Sequence, residues 1–408
     1  MAVVSPLAGL RYDPARVGDV GQVLAPPYDV ITPAEQTELH GRSPYNVIRL
    51  ILPLEADRGA AAARTLRTWV GEKILLRDSE PAIYLYSQRF SLPDGSTRRR
   101  DGVLCRLRLE DFASGVVRPH ERTLPGPKAD RLAILRATGA NLSAIFGLYA
   151  RREPVRELLG AVDPGPPLID VTGWHQVWRI TDRDRIERFV RALASETILI
   201  ADGHHRYETA LAYRDEQPGN EAARWILAYL ANMEEEGVVI LPTHRLVRGA
   251  VPCAPADFVD GVRRWFDVRV LPAGTRRESG EIDCVIGAGR DHRYRLRRRA
   301  EASAALRESS PLVRTLDLAV LHELILERIL GLHVEDLGFT HDDDEAVGEV
   351  ERGRASAAFL LNAPTIGQMR DVCLAGEVMP EKSTYFYPKI ATGLVFSLVG
   401  PPWVSARS

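Results

Sequence analysis

Residues Ile200 to Leu211 read IADGHHRYETAL, an apolar run that ends in an acid, a glycine, two adjacent histidines and an arginine before a helix-forming stretch. That order describes a strand ending and a helix beginning. The first N–H groups of a helix have no intrahelical acceptor, so such a junction binds anions. Asp202 stands where an N-cap is expected, and Gly203 lets the backbone come close to a ligand. His204 and His205 add donors whose charge changes near neutral pH, and Arg206 can fork onto phosphate oxygens. The plain alternative is that Asp202 only caps, Gly203 only turns and the histidines cover the end of a sheet. A metal is a third option, because His204 and Glu208 are four apart on one helix face, although no third ligand stands out.

A second constellation is Arg118-Pro119-His120-Glu121-Arg122-Thr123 with Gly126-Pro127-Lys128-Ala129-Asp130-Arg131. Its mixture of charge, imidazole and hydroxyl in an irregular stretch reads as a binding loop. Glu121 is placed as a general base towards a hydroxyl, with His120, Arg122 and Lys128 as phosphate-neutralising groups. The alternative is a solvated loop, with Lys128 and Asp130 near the start of the next helix. Two further candidates are the rigid loop Pro26-Pro27-Tyr28-Asp29 and the tail from Lys382 to Lys389, and each also reads as plain packing. The acidic run Asp342 to Glu345 suits a helix N-terminus.

Familiar signatures are missing. The chain has no GxxxxGK[ST], GxSxG, HExxH or GxGxxG, which makes standard P-loop kinases, serine hydrolases and zincins poor fits.

The elements that position these groups follow from periodicity. A helix is expected from Pro33 to Gly41 after a Thr32 cap, a buried strand from Val47 to Leu52 and a helix from Ala60 to Leu76. Ile83 to Ser91 and Leu104 to Leu109 read as a hairpin around Asp94-Gly95, with Arg98 to Arg100 in its loop. Helices at 129–137, 155–161 and 183–194 alternate with strands at 144–149, 173–180, 197–200 and 238–247. Later come a helix at 257–266, strands near Val268 and Cys284 and at 292–299, and a long helix at 312–330. A strand at 357–361 and a helix at 368–374 complete the list. The six arginines between Arg290 and Arg299 alternate along a strand and read as one solvated face. The expected domains are a mixed α/β domain at 1–248, carrying DGHHR, a small α/β insertion or linker domain at 252–300, and a C-terminal α/β region at 301–408.

Composition sets the wider limits. With 408 residues, 45% hydrophobic and 26% charged, the chain can fill two or three cores. Its 53 basic and 55 acidic residues leave a formal charge of -2, which argues against nucleic acid or an anionic membrane as partner. Cys105, Cys253, Cys284 and Cys373 form no CxxC pair and suit a reducing compartment. No apolar run approaches the roughly 20 residues of a membrane span, and the first residues lack a basic leader. A cytoplasmic protein acting on a small-molecule substrate is expected, and no pattern specifies its oligomeric state.

APPYDVI, SPYNVIRLIL, PHERTLPGPKADRL, ANLSAIFGLY, IADGHHRYETAL, LPTHRLV and KSTYFYPK together resemble the domain-of-unknown-function family 1015, from about Leu10 to Phe396. More distantly, DGHHR after a strand is similar to the signature of the ParB and sulfiredoxin-like superfamily, which includes free-serine kinases. The resemblance implies a mixed α/β fold with a ParB/sulfiredoxin-like phosphate-binding core and an additional α/β C-terminal region. It implies that Gly203, His204, His205 and Arg206 hold a phosphate while a carboxylate, Glu121 or in reserve Asp29, activates a serine hydroxyl. The implied cofactors are Mg²⁺ and a nucleotide, ADP or ATP, without a dedicated protein metal site. The implied activity is phosphoryl transfer between nucleotide and serine or O-phosphoserine. Phosphoserine hydrolysis, a ParB-like nucleotide-binding regulator and a purely structural module are the alternatives.

Overall fold

The computed structural model describes residues 1–121, 125–150, 155–158, 165–251, 253–271, 277–287, 292–306 and 309–400. The chain forms two units, the first from Met1–Pro119, Thr123–Val239 and Pro388–Ser408, the second from His120–Arg122 and Ile240–Tyr387. No described helix is long and apolar enough to cross a membrane.

The first unit is built on a nine-stranded mixed sheet. Its strands are β1 (Ile83–Ser91), β2 (Thr97–Arg108), β3 (Val117–Arg118), β4 (Ile145–Tyr149), β5 (Ile169–Val171), β6 (His175–Ile180), β7 (Ile198–Asp202) and β8 (Trp225–Asn232), in the order β3-β7-β4-β8-β2-β1-β6-β5. Val4–Ser5 adds a short pairing to β2. β7 runs parallel to β3 and β8 parallel to β4, while the other pairs are antiparallel.

The β1–β2 hairpin turns where Asp94 accepts from the Ser96 N–H at 2.9 Å and Gly95 takes a positive φ of 81°. β4 and β7 are buried along their whole length, because helices cover them.

The helices of this unit include α1 (Pro33–Arg42), α2 (Ile48–Ile51), α3 (Arg58–Gly71), α4 (Pro125–Thr138), α5 (Arg183–Leu193) and α6 (His204–Glu216). α1 starts on the expected proline, with a capping box between Thr32 and Glu35. α5 is capped by Asp182 and buries Ile186, Phe189 and Leu193, a three-and-four spacing that makes one apolar stripe. Tyr207 and Ala210 of α6 join that stripe in a core with Ile198, Ile200, Ile145 and Leu230.

The second unit has a six-stranded sheet in which every pair is antiparallel. Its strands are β9 (His244–Val247), β10 (Phe266–Val270), β11 (Glu281–Ile286), β12 (Arg293–Arg298), β13 (Leu337–Thr340) and β14 (Ala357–Leu360), ordered β10-β12-β11-β14-β9-β13. α7 (Pro255–Val262), α8 (Asp343–Glu351) and α9 (Ile366–Leu374) accompany it. Ala346 and Val350 of α8 pack on Leu246, Val285, Ala358 and Leu360. Asp342 caps α8, as the acidic run led us to expect. The β12 arginines meet carboxylates, Arg293 with Glu351, Arg295 with Asp283 and Arg298 with Asp317, and Arg297 is exposed. Arg290 lies outside the described residues.

Several expectations are corrected. Val47 to Leu52 is not a strand: Ile48–Ile51 is the helical turn α2 with Ile48, Leu50 and Ile51 buried. A short run apolar on every side carries no period that separates strand from helix. Residues 238–247 form two strands, Val239–Leu241 and β9, interrupted at Pro242, which lacks a ladder donor. The long helix at 312–330 is broken into Val313–Thr315, Asp317–Val320 and a π-helical stretch Leu321–Glu327. Arg98 to Arg100 belong to β2 rather than to the loop, and Arg100 is fully buried. In the 155–161 segment, residues 159–161 lie outside the described residues.

Candidate functional site

β7 and α6 meet as expected, but with a different division of labour. The register between β7 and β4 shifts between Ile200 and Asp202, so one residue bulges and Asp202 lies opposite Phe146. Bulges of this kind re-aim a side chain next to functional sites. Asp202 closes the strand and Gly203 is the N-cap, in a left-handed conformation with φ 92° and ψ 30° and without a side-chain cap. The expected Asp202 cap is thus corrected. The cap position demands a positive φ, which a residue without Cβ adopts freely.

Released from capping, the Asp202 carboxylate accepts on one oxygen from Arg206 Nη2 and on the other from Lys389 Nζ. Asp202 is itself only 9% exposed. Burial pushes this carboxyl up, but the opposing fields of Lys389 and Arg206 hold it well below the usual carboxylate range. Arg206 also donates through Nη1 to the Ala144 carbonyl. Its Nε is buried and has no hydrogen-bond partner among the described residues.

Arg206 lines a pocket of about 60 Å³ together with Tyr28, Arg131, Asn141, Ser143 and Thr209. Ile134, Leu135, Leu142 and Ile226 form the apolar part of its wall, and since about 10–15 Å³ suffices for one water, the space takes only a small group. The Arg131 guanidinium lies over the Tyr28 ring, 4.1 Å from its centroid. Burial, helped by Asp29 and opposed by Arg206 and Arg131, pushes the Tyr28 hydroxyl up to about 12, so it is a neutral donor at physiological pH.

The other predicted residues divide between the units. Asp29 follows Tyr28 in a short 3-10 turn and is exposed. Lys128, in the first turns of α4, pairs with Glu208 of α6, which occupies the carboxylate considered for a metal. Among the described residues no group of three or more His, Cys, Asp or Glu is arranged to hold a metal. His204 is buried and its field acts on Asp202, while His205 is half-buried. His120 and Glu121 belong to the second unit. There His120 Nε2 meets Thr384 Oγ1 at 2.6 Å, and Glu121 accepts from the Lys382 N–H at 3.2 Å. Arg122 lies outside the described residues.

Asn141, Ser143 and Thr209 were not singled out from the sequence. The available signal was polar residues interrupting the apolar run Ala140 to Ile145.

A family model described as "Protein of unknown function (DUF1015)" matches residues 4–319. The chain belongs to this family. No curated protein matches. Among solved structures, it is similar to a "Free serine kinase in complex with AMP" at 15% identity and a TM-score of 0.38, covering 72% of this chain and 91% of that one. A conserved hypothetical protein from Pyrococcus furiosus is similar at 16% identity and 0.38, over 72% and 95% of the two chains. SbnI from Staphylococcus aureus, with a C-terminal truncation, follows at 11% identity and 0.35, over 69% and 83%. Likeness this distant fixes no activity.

Chemically, the family member's site in the first unit combines a helix start, two arginines lining one pocket, a lysine and a neutral phenol. Such groups neutralise and orient an anion, and phosphoryl transfer needs little more than positioning and charge neutralisation.

Proposed function

We propose that this protein is a phosphotransferase that moves a phosphoryl group between a nucleotide, ADP or ATP, and serine or O-phosphoserine on a ParB/sulfiredoxin-like core. The observation that carries the reading is Arg206 Nε, a buried guanidinium donor without an acceptor among the described residues, on a pocket that Arg131 also lines. Buried donors in native proteins have partners, so a ligand oxygen is the natural acceptor.

In this reading the pocket holds the phosphoryl group, and the backbone N–H groups of Gly203, His204 and His205 receive its charge. The Tyr28 hydroxyl, on the pocket wall, acts as a donor to phosphate oxygens, and the half-buried His205 at the helix start adds a second donor. Asp29 takes the role of general base towards the serine hydroxyl, because it is an exposed carboxylate beside Tyr28 on the same unit. Glu121, the first choice from sequence, is already an acceptor for Lys382 in the second unit. Both oxygens of Asp202 accept from cations, which does not fit a metal ligand. Mg²⁺ would therefore arrive on the nucleotide phosphates, as it does where one carboxylate and several waters complete its shell.

The test is incubation of the pure protein with O-phosphoserine, ADP and Mg²⁺, and separately with serine and ATP. Serine and ATP formed together, or the reverse reaction, supports the proposal. Serine and free phosphate without ADP would convert it to a phosphatase. No turnover in either direction, with intact protein, ends it.

A further inference from the structure

Lys389 sits in an irregular segment just after Pro388, yet its ammonium reaches Asp202 in the interior of the first unit. A lysine carries its charge on a flexible stem, so holding it in one place requires a fixed backbone beneath it. Here that backbone is held by side chains of the β1–β2 hairpin. Arg100 and Gln88 face each other across β1 and β2 and are 0% and 2% exposed. Arg100 Nη2 donates to Gln88 Oε1 at 2.6 Å and to the Pro388 carbonyl at 2.7 Å. Gln88 Nε2 donates to the Lys389 carbonyl at 3.1 Å. Three residues further on, Thr392 exchanges backbone hydrogen bonds with Ala25, which leads into the Tyr28–Asp29 turn.

A fully buried guanidinium is costly to desolvate. Packing alone would be served better by an aliphatic side chain among Phe90, Phe146 and Tyr229, whose rings surround Arg100. What Arg100 and Gln88 accomplish is to hold two consecutive main-chain carbonyls of an irregular segment, and thereby to fix where Lys389 begins. At the other end of the chain of contacts, Asp202 bridges Lys389 and Arg206 on its two oxygens, so the ammonium and the guanidinium flank one carboxylate.

We propose that Lys389 is a further phosphate-binding cation of the junction site, beside Arg206 and Arg131, and that Gln88 and Arg100 are the residues that position it. The proposal rests on the reading of the site as a phosphate site, and it extends that site to a segment some two hundred residues further along the chain. Asp202 holds Lys389 and Arg206 together when no ligand is bound, and the phosphate takes over part of that role on binding.

The experiment is calorimetric titration of the full chain with inorganic phosphate and with O-phosphoserine, beside thermal melts. Lys389→Met is expected to weaken binding of both probes at least tenfold, and Lys389→Arg to recover most of it. Gln88→Leu, with Gln88→Met as the milder packing change, is expected to weaken binding several-fold. Added to Lys389→Met, either is expected to have no further effect, because two changes acting through one contact are not additive. Wild-type affinity in Lys389→Met, full additivity of the double variant, or a wild-type protein that binds neither probe would overturn the proposal. Loss of the transfer reading is separately visible: weakened binding in Lys389→Met without any turnover by the wild type retains this inference and discards that activity.

Discussion

Asp202 and Arg206 form an ion pair across a change of secondary structure, the carboxylate on the last residue of a strand and the guanidinium in the first turn of the following helix. Both side chains are about 10% exposed. An i,i+4 pair on the surface of one helix contributes a few tenths of a kcal/mol. This pair is different because Gly203 turns the chain between its members and a second cation, Lys389, shares the carboxylate. Asp202 therefore acts as an internal counter-ion at a place where an anionic ligand would compete for the same cations.

Replacing Asp202 by Asn should leave two buried cations without their counter-charge. Breaking such pairs typically costs about 3–5 kcal/mol. Because a ligand that binds only the native state stabilises it, phosphate should raise the melting temperature of Asp202→Asn more than that of the wild type. Melts with and without phosphate decide this, and equal shifts in the two proteins would count against an anion at this site.

The same carboxylate sets a pH dependence. Its folded-state value lies below the unfolded reference of about 3.9, so the folded protein binds fewer protons there and stability rises with pH. The contribution is complete above about pH 4 and is lost as pH falls through the depressed folded value. Urea unfolding of wild type and Asp202→Asn between pH 5 and the most acidic pH the fold tolerates should show curves that converge on acidification. Parallel curves would contradict the sign.

Asp29 is exposed in its short turn. Asp29→Asn should leave the melt and the phosphate affinity unchanged and lower phosphoryl-transfer turnover about a hundredfold or more, the range of a general base. Unchanged turnover would remove Asp29 from the mechanism.

Glu121 makes the opposite prediction. Burial draws the fully buried Arg245 down to about 9, and the field of Glu121 opposes this. Arg245 donates to the Glu381 and Lys382 carbonyls, while Glu121 accepts from the Lys382 N–H, where Lys382 takes a strained φ of 55°. Glu121→Ala, which removes the acceptor for the Lys382 N–H, should lower stability by about 0.5–1.5 kcal/mol. Turnover of the folded variant should stay within a few-fold of wild type. A hundredfold loss of turnover at unchanged stability would restore Glu121 as the base.

Much of the layout was legible because it depends on neighbours in sequence. The Thr32–Glu35 capping box, the turn at Asp94-Gly95, the stripe of Ile186, Phe189 and Leu193, and the strand-to-helix change at Gly203 each arise from residues within one or two turns of one another. Where a run was apolar on every side, as at Ile48 to Ile51, the pattern had no period to read, and burial from several directions decided for a helix.

The sequence by itself determined that a polar, histidine-rich helix start follows a buried strand at Asp202-Gly203-His204-His205. It could not determine what Asp202 does, because the answer depends on Lys389, far along the chain, and on a left-handed cap that frees the carboxylate. Nor could it show that Tyr28, Arg131 and Ser143 share a pocket with Arg206, or that Arg100 lies buried within a strand. Local hydrogen bonding and periodicity act over a few residues and leave a mark in the sequence. The pairing of charges across a core is settled only when the sheet brings distant segments together and removes water from between them.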